Sequence, residues 1–190
     1  IIALMRLLLA SASPRRAELL RAAGFDFDTV AVDIDEAIRP SELPEDYVQR
    51  MASEKSARAM EVVGDKEIVV LAADTAVVSD GEILGKPRDD EEAAAMLRRL
   101  SDGWHEVMTG VSLRAGPREL GVVEITMVEF ALLSDADIAW YVASGEGRDK
   151  AGGYAIQGLA SRFIPRIEGS YSNVVGLPMA AVAALLTEIR

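Results

Sequence analysis

The stretch from Leu7 to Arg16, LLLASASPRR, constrains the fold of this chain more than any other. An apolar run breaks into two serines, a proline and two arginines. AELLRAAG follows with helical spacing, so the sequence predicts a strand, a turn and a helix start in immediate succession. Ser13 is placed to cap that helix, Pro14 to fill its first position and Gly24 to close it. Arg15 and Arg16 then fall in the first turn, where exposed N–H groups and the helix dipole already favour an anion. Two cations there are locally unfavourable unless something negative, such as a phosphate chain, sits between them and the helix end. The other reading of the pair is that both are solvated or joined to acids such as Glu18.

With 190 residues, half of them hydrophobic, the chain can bury a substantial core and is not disordered. Its net charge of -11 excludes broad electrostatic binding to nucleic acid or to an acidic membrane, so any basic cluster acts locally. Cysteine is absent, which removes disulfides, thiolate catalysis and cysteine-bound metal centres. The single histidine, His105, cannot build a multi-histidine site. Arg6 interrupts the apolar N-terminal run and no basic region leads it, so IIALMRLLL is expected to be the first strand rather than a secretory signal. Met5 is a candidate native start, with Ile1 to Leu4 upstream of it.

FDFDTVAVDIDE alternates as a second strand would, with Asp33, Asp35 and Glu36 at its end. Such a group is either a solvated rim or part of what a hard divalent cation needs. Pro44 opens a long helix that Gly64 ends, with an apolar stripe through Val48, Met51, Ala59 and Val62. Lys55 falls on this stripe, either snorkelling to water or pointing to a phosphate. IVVLAADTAVV, residues 68 to 78, is the most apolar strand-like run, and Asp74 and Thr75 lie at its centre. A buried carboxylate needs a partner, which makes Asp74 the best single candidate for chemistry. Its alternative is an aspartate bonded to backbone at a strand kink.

SDG, residues 79 to 81, reads as a hairpin turn returning the chain to Gly85-Lys86-Pro87, where Lys86 is either solvated or brought back towards the strand of Asp74. A dipole-matched helix (DDEEAAAMLRRL) follows, then an antiparallel strand pair (WHEVMTGVSLRA, ELGVVEITMVEFALL) and a capping-box helix begun by Ser134 and Asp137. DKAGGYAIQG, residues 149 to 158, is too glycine-rich for a regular element. It is either a structural loop or a place where backbone approaches a ligand, with Gln157 offering its amide to a nucleobase edge. RFIPRIEGSYSNVVGLP is expected as strand, turn and loop before a terminal helix begun at Pro178.

LASASPRRAELL, AADTAVV, GEILGKP, DKAGGYAIQG and GSYSNVVGLP, in this order, resemble the Maf family of nucleoside triphosphate pyrophosphatases. The resemblance runs from about Arg6 to the C-terminal helix. It implies a single Maf-like nucleotide pyrophosphatase domain over residues 1–190. The implied fold class is α/β, a central mixed sheet with flanking helices and two lobes around a cleft, similar to inosine-triphosphate pyrophosphatase. The implied activity is hydrolysis of a nucleoside triphosphate to the monophosphate and pyrophosphate with Mg²⁺ or Mn²⁺, in the cytoplasm, by a chain that often forms a homodimer.

Residue by residue, the resemblance puts the proton acceptor at Asp74 and the positions that mark substrate choice at Arg15, Thr75 and Gln157. Their combination is similar to the branch acting on dTTP and UTP, with modified pyrimidine triphosphates as a further substrate class. Glu36, Lys55 and Lys86 also fall on polar positions associated with the family's site. The mechanism expected from these residues adds Ser11 and Arg16 to the substrate-binding set and makes Glu36 and Asp74 the metal-holding pair. The alternative function is a nucleotide-binding regulator of septum formation with little turnover.

Overall fold

The structure is a computed structural model and describes residues 6–65 and 67–189. The candidate start at Met5 and the residues before it lie outside the described residues. The element order is β1 (Arg6–Ala10), α1 (Pro14–Ala22), β2 (Phe27–Val30), α2 (Pro44–Val63), β3 (Ile68–Ser79), β4 (Glu82–Leu84), α3 (Asp90–Leu100), β5 (Gly103–Ala115), β6 (Arg118–Phe130), α4 (Asp135–Ser144), β7 (Arg166–Glu168), α5 (Tyr171–Val175) and α6 (Met179–Glu188). The strands form a mixed sheet in the order β2-β1-β3-β5-β6-β7, with β4 pairing β3 beside this path. β1 runs parallel to both β2 and β3, while the β3–β4 and β6–β7 pairs are antiparallel.

Two compact units divide the chain. One holds residues up to Asp74, Thr109–Glu124 and from Gly176 on; the other holds Thr75–Met108 and Ile125–Val175. In the first unit β1 and the first half of β3 are buried on both faces, which is why they read as unbroken apolar runs. Alternation along the strands assigns the faces. Leu7, Leu9, Val69, Leu71 and Ala73 pack with Ala17 and Leu20 of α1 and with Val182 and Leu186 of α6. Leu8, Ala10, Ile68, Val70 and Ala72 form a second cluster with Ala59 of α2. Asp74 is next in the even-numbered series of β3, so it belongs to the face that α2 covers.

α2 lies very close to the sheet because glycine lets it. A Cβ on Gly110 of β5 would stand 2.3 Å from the Val48 carbonyl oxygen, and one on Gly121 of β6 2.4 Å from the Gln49 side-chain amide. Gly64 ends α2 in the left-handed conformation, as expected. Val62, placed on the buried stripe by periodicity, is 55% exposed instead. It sits in the final turn, past the part of the helix that the sheet covers.

In the second unit, Asp80 and Gly81 both take positive φ in the β3–β4 hairpin, the geometry of a type I′ turn. α4 carries the expected capping box and a left-handed Gly145 at its end. His105, Phe130 and Tyr154 form a cluster of edge-to-face rings with centroids 4.9 to 5.4 Å apart. No helix among the described residues is long and apolar enough to cross a membrane.

Two expectations are corrected. The strand foreseen over residues 25–36 spans only Phe27–Val30, because β1, its sole partner among the described residues, ends at Ala10, opposite Val30. Asp33, Asp35 and Glu36 therefore lie in an irregular loop rather than at a strand end. The segment read as turn and loop after β7 contains a short helix, α5, whose buried Asn173 donates to the Val107 carbonyl and to the Thr126 hydroxyl, both at 3.0 Å.

Candidate active site

The first unit brings several of the singled-out residues together. Ser13 occupies the cap position of α1 and Pro14 its first turn, yet the Ser13 side chain makes no capping hydrogen bond. Ser11 orders the turn instead. Its hydroxyl accepts from the Ser13 N–H at 3.1 Å and from the Arg16 guanidinium at 3.3 Å. Arg16 also donates through Nε to the Gly176 carbonyl at 2.8 Å, which ties the SASPRR turn to the segment before α6. Burial lowers the Arg16 pKa from its ordinary value, Asp74 opposes that, Arg15 adds to it and Glu36 opposes it again. Arg16 is thus a half-buried cation anchored to the scaffold within the field of Asp74, Glu36 and Arg15.

Lys55 does not carry its ammonium out to water. Its ammonium lies 2.6 Å from Asp74 Oδ1 and 2.7 Å from Glu36 Oε1. The side chains of Lys55 and Asp74 are both 13% exposed, whereas Glu36 is 56% exposed. The strand alternation that directs Asp74 towards α2 and the helix spacing that directs Lys55 towards the sheet meet at this ion pair. One cation between two carboxylates, beside the cationic first turn of α1, forms a polar centre next to an otherwise apolar core.

A loop holds Glu36 in place, and the residues that fix it were not foreseen from the sequence. Arg50 of α2 takes both carboxylate oxygens of Glu42, at 2.5 and 2.7 Å, and donates to the Ala37 carbonyl at 3.0 Å. Those hydrogen bonds lead in driving the Glu42 pKa down to about 2. The Tyr47 hydroxyl donates to the Glu36 carbonyl at 3.2 Å. Burial, reinforced by the negative charges of Asp74 and Glu36, pushes the Tyr47 pKa up to about 12, so its phenol stays a neutral donor. The sequence signal was weak: Arg50 and Glu54 have i,i+4 spacing, but nothing local pairs Arg50 with Glu42.

Glu36 and Asp74 supply only oxygen donors, the chemistry that Mg²⁺ and Mn²⁺ accept. Among the described residues no group of three or more His, Asp or Glu side chains gathers into a metal cage. Two carboxylates fit a metal that takes its remaining ligands from water and substrate phosphate, the usual manner for Mg²⁺ in phosphoryl chemistry.

Thr75, Lys86 and Gln157 belong to the second unit. Thr75 follows Asp74 in β3 and is half-buried. Lys86 is exposed beside the buried Pro87. The Gly85 carbonyl next to it accepts from the Gly152 N–H at 3.1 Å, which ties this turn to the glycine-rich loop. Gly152 has a φ of +68°, and a Cβ on it would lie 2.8 Å from Val77, so only glycine fits there. Residues Gly152 to Ile156 are buried, and Gln157 emerges exposed. It borders an open groove of about 390 Å³ whose walls include Ile156, Ile164, Ile167 and Tyr171.

Residues 6–189 match the family model described as Maf-like protein. The chain belongs to the Maf family. Its Maf relatives include a dTTP/UTP pyrophosphatase of Hahella chejuensis, 52% identical over 184 residues that make up 96% of this chain and 92% of the relative. One of Anaeromyxobacter dehalogenans is 57% identical, covering 95% and 92% of the two chains. One of Escherichia coli O157:H7 is 50% identical, covering 97% and 93%. Among solved structures, the Ham1 protein of Staphylococcus aureus resembles this Maf chain in fold, with a TM-score of 0.56, 15% identity and coverage of 97% of this chain and all of that one. That likeness bears out the α/β class with a central mixed sheet flanked by helices.

Proposed function

We propose that this protein is a nucleoside triphosphate pyrophosphatase that hydrolyses dTTP and UTP to the monophosphate and pyrophosphate, a hydrolase acting on acid anhydrides that clears nucleotide pools. The Lys55 ammonium held between Asp74 and Glu36, beside the arginines of the α1 turn, carries this reading. The names of relatives at about half identity over nearly the whole chain support it.

In the mechanism we infer, Asp74 accepts a proton from a water molecule as its oxygen attacks the α-phosphorus. The bond from that phosphorus to the bridging oxygen breaks, and pyrophosphate leaves with the bonding electron pair. Arg15 and the N–H groups at the start of α1 hold phosphate oxygens, while Arg16 and Ser11 keep that turn in shape. Lys55 orients Asp74 and Glu36 and supplies positive charge where the transferring group gathers negative charge. Lys86 contributes a further cation for the phosphates, and Thr75 and Gln157 take part in choosing the base. Mg²⁺ or Mn²⁺, held by Asp74 and Glu36, would supply Lewis-acid stabilisation of phosphate charge.

A regulator that only binds nucleotide needs the cationic turn but no carboxylate held against a lysine beside it, so Asp74 favours the enzyme. Substrates of this size and charge suit the cytoplasm, and the end strands β2 and β7, each with one paired neighbour, suit a homodimer that light scattering would detect. The deciding experiment is pyrophosphate release from dTTP, UTP, CTP, 7-methyl-GTP and ITP with Mg²⁺, Mn²⁺ or EDTA. Metal-dependent release led by dTTP and UTP is expected. Preference for 7-methyl-GTP would overturn the substrate choice, and silence across the panel would overturn the enzyme.

A further inference from the structure

Gln157 is exposed, but the chain on both sides of it is tied to side chains from the end of α4. Glu146 follows Gly145, the left-handed cap of that helix. Its Oε1 accepts from the Leu159 N–H at 2.9 Å, and its Oε2 accepts from the Ala160 N–H at 3.4 Å and from the Tyr141 hydroxyl at 2.8 Å. The Tyr141 oxygen in turn accepts from the Ala155 N–H at 3.1 Å. Residues two before and two after Gln157 are therefore linked through one phenol and one carboxylate.

The glycines fit this arrangement. A Cβ on Gly158 would stand 2.0 Å from Glu146 Oε1, and a Cβ on Gly147 would stand 2.0 Å from the Gly153 carbonyl oxygen. A carboxylate just past a helix C-terminus faces the negative end of the dipole, so helix stability gives no reason for it. The backbone N–H groups of the loop do. Tyr141 is 1% exposed, and burial followed by the Glu146 hydrogen bond raises its pKa well above the usual phenol range, which keeps the hydroxyl a donor.

We propose that Glu146, with Tyr141 as its relay, is a positioning residue that sets where the Gln157 amide stands and thereby how strictly the base is chosen. The proposal rests on the reading that Gln157 contacts the nucleobase. A carboxylate can accept from two N–H groups and a hydroxyl at once, whereas the amide of a glutamine at 146 would turn an N–H₂ towards at least one of those donors.

The experiment measures kcat and KM for dTTP, UTP, CTP and ITP, together with thermal unfolding, for the wild type, Glu146→Gln, Tyr141→Phe, Gln157→Ala and the Glu146→Gln/Gln157→Ala double variant. In Glu146→Gln, KM for dTTP should rise and discrimination against CTP and ITP should fall, each by about tenfold, with kcat kept within about twofold. Tyr141→Phe should change in the same direction by a smaller factor and carries the test if Glu146→Gln does not fold. The double variant should lose no more discrimination than Gln157→Ala, because both changes remove one effect. Equal loss for every substrate in step with the folded fraction, or additive losses in the double variant, would overturn the positioning role. Gln157→Ala with unchanged discrimination would instead overturn the base contact itself, and the proposal with it.

Discussion

Asp74 and Lys55 depend on each other in a way that makes their variants informative. Asp74→Asn keeps the size of the side chain and removes the proposed proton acceptor, so turnover should fall by about a thousandfold or more while circular dichroism stays native. Near-normal pyrophosphate release would refute the assignment. Lys55→Met leaves Asp74 and Glu36 without the cation now 2.6 and 2.7 Å away. It should cost at least about a hundredfold in kcat and lower the melting temperature as well, since an uncompensated buried carboxylate is left behind.

His105 makes a prediction about pH. Its Nε2 lies 2.7 Å from the Tyr154 hydroxyl, and its Nδ1 has no hydrogen-bond partner among the described residues. Burial lowers its pKa from 6.5 to about 4. The unfolded chain therefore binds a proton that the folded chain refuses between these values, so stability from this group is complete above pH 6.5 and is lost as pH falls towards 4. The loss approaches about 3 kcal/mol from a shift of this size. Melting curves between pH 4 and 7 should show it, and His105→Phe should flatten that slope.

Among the elements, α2 matters most, since it carries Lys55, Arg50 and Tyr47 and presses on the sheet through Gly110. Gly110→Ala would set a methyl group 2.3 Å from the Val48 carbonyl oxygen and push the helix outward. A loss of about 1–3 kcal/mol is expected from such overpacking, readable by urea denaturation. Turnover should fall further than the folded fraction does, because Lys55 moves with the helix. If activity simply tracks the folded fraction, the coupling of α2 position to the site is wrong. The Arg50–Glu42 pair acts at the same scale by fastening the Glu36 loop to this helix, a long-range partnership of elements rather than a local motif.

For the molecule as a whole, charge and metal can be separated from stability. The net charge of -11 would repel a triphosphate, so in the proposed mechanism the cations at the α1 turn and Lys55 act at short range. In the proposed mechanism a divalent cation takes two carboxylates from the protein and its remaining ligands from water and phosphate, so it is not expected to hold the fold together. EDTA should therefore stop pyrophosphate release while leaving the melting temperature unchanged. A large fall in melting temperature with EDTA would show that metal is structural.

Much of this was legible before any coordinates, because it follows from local chemistry. The strand–turn–helix at Leu7–Arg16, the limits of α2 set by Pro44 and Gly64, the hairpin at Asp80-Gly81 and the capping box of α4 each depend on residues a few positions apart, whose backbone preferences act without a partner. The linked motifs also identified the family and singled out Asp74. Other features depended on what lies across space. β2 stops at Val30 because the chain leaves β1 after Ala10 and turns into α1. Lys55 could have snorkelled to water until β3 brought Asp74 within 2.6 Å of it. The sequence put Arg16 in the first turn of α1, but only the tertiary structure brings its Nε to the Gly176 carbonyl, 160 residues away. Glu146 gave no signal in the sequence, since its three donors come from a helix before it and a loop after it. Propensity and capping are decided within a turn of chain, but an ion pair or a buried acceptor has meaning only once folding has chosen its partner.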